Sequence, residues 1–194
     1  MENWNHEKEQ LKGLHKGHLL LSEPFMWDPN FSRTVILLTE HDEKGSLGLV
    51  QNRPVNLKLH ETIEDFPESD FAVYYGGPCE ENTLHFIHRL GDLIDGAEMI
   101  RNGLYYGGNY ETVRILIEKH QLKNEDIKFF LGYSGWSAGQ LEKEMQDNSW
   151  IVSDKFQLNK LLTEEGYQLW KTVMEEMGGV YKAMSHYPTN PQLN

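Results

Sequence analysis

Thr34-Val35-Ile36-Leu37-Leu38-Thr39 is apolar and β-branched along both faces of an extended chain, the pattern of a strand buried between two layers. A polar turn, His41-Asp42-Glu43-Lys44-Gly45, follows it, and Ser46-Leu47-Gly48-Leu49-Val50-Gln51 returns as a second strand. Two strand-like runs joined by a short loop with glycine predict an antiparallel hairpin. Upstream, the apolar run His18 to Ser22 ends before Pro24, and Met26-Trp27-Asp28-Pro29 reads as a turn. Downstream, Leu57 to Ile63 carries apolar residues at helical spacing, whereas Phe71 to Tyr75, Leu84 to His88, Ile127 to Leu131 and Ser149 to Val152 read as strands. A short strand is expected around Met99 to Tyr106.

Three longer helices are expected. Asn109 caps one through His120, a second runs from Ser137 to about Asp147, and a third from Thr163 to Met177. The last has a continuous stripe of Leu169, Trp170, Val173, Met174 and Met177, and Gly178-Gly179 stops it. Strands before, between and after few helices, without regular βαβ alternation, favour an α+β fold with a mixed, largely antiparallel sheet.

At 194 residues the chain is expected to form one domain over residues 17–180, with an N-terminal tail or helix over 1–16 and a C-terminal tail over 181–194. A chain of this size buries roughly 70% of its unfolded surface, so it needs no metal or disulfide staple. Cys79 is the only cysteine, which excludes an intramolecular disulfide and points to a reducing compartment. Met1 to Lys12 is polar rather than basic-then-apolar, and the longest apolar runs are strand-sized, so the expectation is a cytoplasmic protein with no membrane partner. The mean hydropathy of −0.60 reflects a charged surface. With 18 basic against 30 acidic residues, a net charge of −12, the molecule's field opposes nucleic acid, and direct nucleic-acid binding is not expected.

The segment most suggestive of chemistry is Leu131-Gly132-Tyr133-Ser134-Gly135-Trp136-Ser137-Ala138-Gly139-Gln140-Leu141-Glu142. Its Gly135-Trp136-Ser137-Ala138-Gly139 matches the nucleophile elbow of serine hydrolases, with Asp147 or Asp154 and then His186 in a permissible chain order. The same residues form a capping box, Ser137 with Gln140, and a staple, Trp136 with Leu141, and this structural reading explains them better. Such a helix start beside several glycines is also an anion-binding end. Gly76-Gly77-Pro78 lacks the spacing of a Walker loop or dinucleotide fingerprint and reads as a turn needing positive φ. Arg33 and Arg53 are candidate anion contacts, or ion-pair partners for a carboxylate such as Glu40. Glu40-His41, His85 and His88 are the candidate metal ligands, but His85 and His88 sit three apart on an expected strand and would face opposite sides. No metal or cofactor is expected, and a lone Cys79 reads as a small hydrophobe.

Taken together, these landmarks resemble the YqgE/AlgH family. The resemblance is carried by Gly17-His18-Leu19-Leu20, Asp28-Pro29-Asn30-Phe31-Ser32-Arg33-Thr34-Val35, Glu40-His41, Gly45 to Pro54, Gly76-Gly77-Pro78, Phe86-Ile87-His88, Leu131-Gly132-Tyr133, Trp136, Gly139-Gln140-Leu141-Glu142 and Asn148-Ser149-Trp150. It implies a bifurcated sheet curled into a pseudo-barrel flanked by helices. Relatives carry other residues, including Glu, where Ser137 stands, which makes the elbow match incidental; Cys79 takes a place often filled by Val. Family members are labelled transcriptional regulators from genetic association with alginate production.

The expected function is that of a non-enzymatic regulatory or binding protein, acting on transcription indirectly through a small anionic ligand or a protein partner. Candidate binding residues are Arg33, Glu40, His41, Asn52, Arg53, Gly76, Gly77, His88, Gly132, Tyr133, Trp136 and Gln140. The alternatives are a DNA-binding transcriptional regulator and a serine hydrolase using Ser137.

Overall fold

The computed structural model describes residues 13–26, 28–64, 66–101 and 103–188. Most of the expected N-terminal tail, Trp27 of the expected turn and residues 189–194 of the C-terminal tail lie outside the described residues.

The hairpin forms as expected. Strands β2 (Val35–Asp42) and β3 (Gly45–Val50) pair antiparallel with Leu37 opposite Leu49, and a bulge falls between Leu38 and Glu40. Strand β1 (Leu19–Ser22) lies along the other edge of β2, and β10 (Trp150–Ser153) pairs with β1. Because side chains alternate along a strand, the apolar runs feed two cores. Leu19, Leu21, Val35, Leu37 and Leu49 pack on one face against Trp170, Val173 and Met174. Leu20, Ile36, Leu38 and Val50 pack on the other against Trp136, Leu141, Met145 and Trp150. All four residues from Val35 to Leu38 are fully buried, each worth about 2 kcal/mol, so neither face tolerates a polar substitution.

The sheet branches at β9 (Ile127–Ser137). Its first half is flanked by β5 (Ala72–Tyr75), in parallel, and by β6 (Cys79–His88), antiparallel. Its second half pairs with β3, Gly48 opposite Ser134 and Gly45 opposite Ser137. The main strand order is β10-β1-β2-β3-β9-β6-β8-β7, with β7 (Glu98–Arg101) and β8 (Leu104–Tyr106) at one end and β4 (Pro54–Lys58) paired to β5 off the main path. The sheet is therefore mixed, mostly antiparallel and bifurcated, and its two ends do not pair to close a barrel.

Where the branches part, three backbones pass within contact distance. A Cβ on Gly76 would lie 2.1 Å from the Gly132 carbonyl oxygen, and one on Gly132, at φ +67°, 2.6 Å from that of Gly77. Only glycine fits such an approach.

Six helices are found among the described residues: α1 (Leu59–Thr62), α2 (Tyr110–Glu118), α3 (Gln140–Gln146), α4 (Leu158–Thr163), α5 (Gly166–Met177) and α6 (Gly179–Met184). Asn109 caps α2 as expected, its side chain accepting from Thr112 N, and Val113 and Ile117 bury against Phe71, Phe86 and Phe129 in a third core.

Four expectations are corrected. The strand from Ile127 does not stop at Leu131 but continues through Ser137, because Gly132 bends it without ending it, so α3 starts at Gln140 rather than Ser137. The helix expected over 163–177 begins at Gly166, whose φ of +56° separates it from α4. Gly178 ends α5, but another helix follows at once, so the segment counted as tail from residue 181 begins as helix. The helix expected over Leu57 to Ile63 is confined to α1, because Pro54 to Lys58 is a strand, the exposed kind, led by the proline that strand starts tolerate.

Candidate functional site

The loop before β2, the second half of β9, α3 and the start of β10 enclose a cleft of about 410 Å³. Its organising group is Glu144 on α3. One carboxylate oxygen accepts the indole N–H of both Trp136 and Trp150, each at 2.8 Å, and the other accepts from the Gln140 amide at 3.0 Å. Gln140 also accepts from Ser137 N at 3.1 Å, so α3 is tied to the end of β9 at two points. The two indoles meet edge to face with centroids 6.1 Å apart, and Phe31 packs edge-on against Trp150 at 5.6 Å. Met26, Asp28 and Pro78 complete much of the wall. A half-buried carboxylate thus sits between two indoles whose N–H groups both point at it.

This geometry corrects the capping expectation. Gly139, at φ +76°, is the N-cap of α3, with no side-chain cap bond. Half of the box survives as the Gln140 bond to Ser137 N, and Trp136 and Leu141 do share a core as a staple would. A helix of this length, opening on its own side-chain bonds, gives no anion-binding end.

The serine-hydrolase constellation is not assembled. Ser137 ends β9, whereas the His186 ring bonds the Lys182 carbonyl and the Ser185 hydroxyl and lies 3.7 Å from Glu175. Among the described residues no hydrogen bond joins Ser137 to a histidine, as a nucleophile and its base require.

The other sequence candidates scatter through the fold. Arg33 is 6% exposed at φ +52° and donates to the Tyr187 and Pro188 carbonyls at 2.8 Å each, its guanidinium 4.9 Å from the ring centroids of both Tyr167 and Trp170. The ion pair with Glu40 is not formed; Glu40 is exposed, past the bulge in β2. Asn52 is buried and accepts from Val35 N while donating to the Arg33 and Gly166 carbonyls, all at 2.9 Å, so both amide protons are spent on backbone. Arg53 donates to the Ser32 carbonyl at 3.1 Å. His41 shares a 2.8 Å bond with the Ser46 hydroxyl.

Gly76, Gly77 and Gly132 belong to the backbone crossing, and Tyr133 follows it, packed against the His85 ring. His88 is fully buried: Leu90 N donates to its Nδ1 at 3.1 Å, so Nε2 carries the proton and donates to the Gly107 carbonyl at 2.9 Å. Burial lowers its pKa and holds it neutral. His85 bonds the Tyr106 and Thr83 hydroxyls. Among the described residues no three His, Cys, Asp or Glu side chains gather to hold a metal ion. Of the twelve candidates, only Trp136 and Gln140 line the cleft.

Sequence reasoning missed Glu144, although its spacing was a signal: it lies eight residues after one tryptophan and six before another, on the helix between them. It also missed Lys128. This lysine points inward from β9, 2% exposed, and donates to the Leu161 and Glu164 carbonyls at 3.0 and 3.3 Å, capping α4. Its Nζ lies 4.1 Å from the Tyr74 ring centroid, and the Tyr74 hydroxyl donates to Glu165. Burial pushes the Lys128 pKa down to about 7, with Glu165 and Glu164 opposing. Among the described residues no helix is long and apolar enough to cross a membrane.

The family model described as AlgH-like (DUF179) matches residues 19–182. A UPF0301 protein from Chlorobium luteolum is 40% identical over 185 residues, covering 95% of this chain and 97% of its own. Another from Chlorobaculum tepidum is 40% identical over 181 residues, covering 93% and 96%. Among solved structures, the AlgH protein from Pseudomonas aeruginosa (UPF0301) superposes with a TM-score of 0.71 at 29% identity, covering 92% of this chain and 94% of that one. A protein from Corynebacterium diphtheriae shares the fold at a TM-score of 0.74 and 22% identity, covering 90% and 93%. A match that runs nearly end to end, with relatives at this level of identity, means that the chain belongs to the AlgH-like (UPF0301) family.

Proposed function

We propose that the protein is a non-enzymatic binding protein of regulatory type, whose working surface is the two-tryptophan cleft and whose occupant is part of a protein partner. One observation carries this reading. Asp28 and Phe31, Pro78, Trp136 and Gln140, and Trp150 come from four separate stretches of the chain, every one of them among the landmarks of the family resemblance, and they line one cleft. Packing alone gives no reason for residues so far apart in sequence to meet around an open space; a shared occupant does.

A small anionic ligand fits the geometry less well than a protein partner. Asn52 spends both amide protons on backbone carbonyls. Arg33 lies outside the cleft lining, with one terminal nitrogen on two backbone carbonyls and the other buried without a hydrogen-bond partner. The cleft is lined by two carboxylates and no basic side chain. Any effect on transcription then runs through the partner, in keeping with the net charge of −12.

Proton–nitrogen correlation spectra of the labelled protein test this directly, because the two indole N–H groups report from inside the cleft. A ligand or partner segment found by screening should shift the Trp136 and Trp150 indole resonances before others. A saturable binder that leaves both unmoved while shifting another surface would place the working site elsewhere.

A further inference from the structure

Glu144, the central carboxylate of the cleft, is not neutralised by a neighbouring cation, whereas Asp28 at the wall lies in the field of Arg53, which does not line the cleft. Glu144 accepts three hydrogen bonds, all from neutral donors. These orient the carboxylate without cancelling its charge, and among the described residues no lysine, arginine or histidine forms an ion pair with it. A carboxylate offers about four acceptor positions, so one remains, on the oxygen bonded by Gln140. Asp28 brings a second carboxylate to the wall, with one oxygen accepting from Asn30 N at 2.8 Å. The rest of the lining is largely aromatic or apolar.

We propose that this cleft receives an arginine side chain carried on a segment of a partner protein; the proposal rests on the reading of the cleft as the working surface. The charge complementarity is direct: two carboxylates and no cation call for a cation. Arginine suits the walls better than lysine, since its planar, weakly hydrated guanidinium packs against aromatic rings while donating to a carboxylate. Protein interfaces use arginine in this way and are depleted of lysine at their cores. A guanidinium group alone fills a minor part of the 410 Å³, which leaves space for the flanking backbone of a bound segment beside Met26 and Pro78. The net charge of −12 steers a basic segment toward the molecule before it docks.

The test uses the full chain and three probes: acetyl-Gly-Arg-Gly-amide, its citrulline isostere, which keeps the shape and loses the charge, and ethylguanidinium. The arginine peptide should shift the Trp136 and Trp150 indole resonances saturably and more weakly as salt is raised. The citrulline peptide and the Glu144→Gln variant should each weaken binding by about fivefold or more. Asp28→Asn, a change on the exposed loop that spares the indole bonds, should weaken it in the same direction. Equal binding of the arginine and citrulline peptides, or binding indifferent to both substitutions, overturns the cation assignment. Ethylguanidinium binding as tightly as the peptide overturns the assignment to a protein segment. If a neutral or anionic compound moves the indoles where the arginine peptide does not, the cleft stands as the working surface and only this inference falls.

Discussion

Replacing Lys128 with methionine keeps the length of the buried side chain and removes its proton. In the wild-type protein burial lowers the Lys128 pKa to about 7, against an ordinary lysine value of 10.5. Between those two values the unfolded chain binds more protons than the folded one, so the folded state gains stability as pH rises through the window. Below about pH 7 the protein bears the whole cost of burying an ammonium group, and above about pH 10 none of it. The gap corresponds to at most about 5 kcal/mol. Methionine cannot titrate, so the variant lacks this slope. It does leave the Leu161 and Glu164 carbonyls without their donor, at about 1–3 kcal/mol each, but that loss is independent of pH. Urea unfolding of both proteins at intervals from pH 6 to pH 10 isolates the effect, since every other titrating group is common to the two. The stability of wild type relative to Lys128→Met should rise by several kcal/mol across the range. A constant difference would refute the reasoning, and would mean that two carbonyls and the face of Tyr74 compensate the buried charge in full.

Asn52→Ala should destabilise the protein by about 3 kcal/mol in chemical denaturation, because Val35 N and the Arg33 and Gly166 carbonyls all lose their partner; a loss below about 1 kcal/mol would show that the side chain is not the brace described. Gly132→Ala places a Cβ 2.6 Å from a backbone oxygen at φ +67°, whereas Gly139→Ala meets nothing within 4 Å at φ +76°. The first should cost several kcal/mol or abolish soluble expression, and the second only the conformational penalty of about 1 kcal/mol. Similar melting temperatures for the two variants would contradict the close crossing.

The hairpin was legible because a run buried on both faces leaves an unmistakable pattern: Val35 to Leu38 needs no knowledge of its neighbours to read as central strand. The capped helix after Asn109 was legible for a similarly local reason. What escaped were decisions made by distant partners. Gly132 ends the apolar run in sequence, yet β3, β5 and β6 hold the chain extended on either side of it. The helix start slid from Ser137 to Gln140 because Ser137 finds a strand partner in Gly45. Arg33 gave no hint that it would face two rings and the carbonyls of residues more than 150 positions away. The cleft was half visible: Trp136 and Gln140 stood out, whereas Glu144 was marked only by its spacing between two tryptophans, which gains meaning once the strands carrying them bring both indoles to one carboxylate. Lys128 was invisible because a lone lysine inside an apolar strand differs from a surface lysine only by what closes over it.

The pairing of β1 with β10 has a consequence during synthesis. Leu19-Leu20-Leu21 leaves the ribosome early and pairs with β2 along one edge, but its other edge belongs to Trp150–Ser153. At roughly 5–20 residues per second the intervening chain takes on the order of ten seconds to emerge. Throughout that interval an apolar strand offers an open row of hydrogen-bonding groups to any other nascent chain. A protein arrested or cleaved before residue 150 keeps that edge permanently, so truncated chains of this family member are bound to aggregate or be held by chaperones even where their first hairpin is intact.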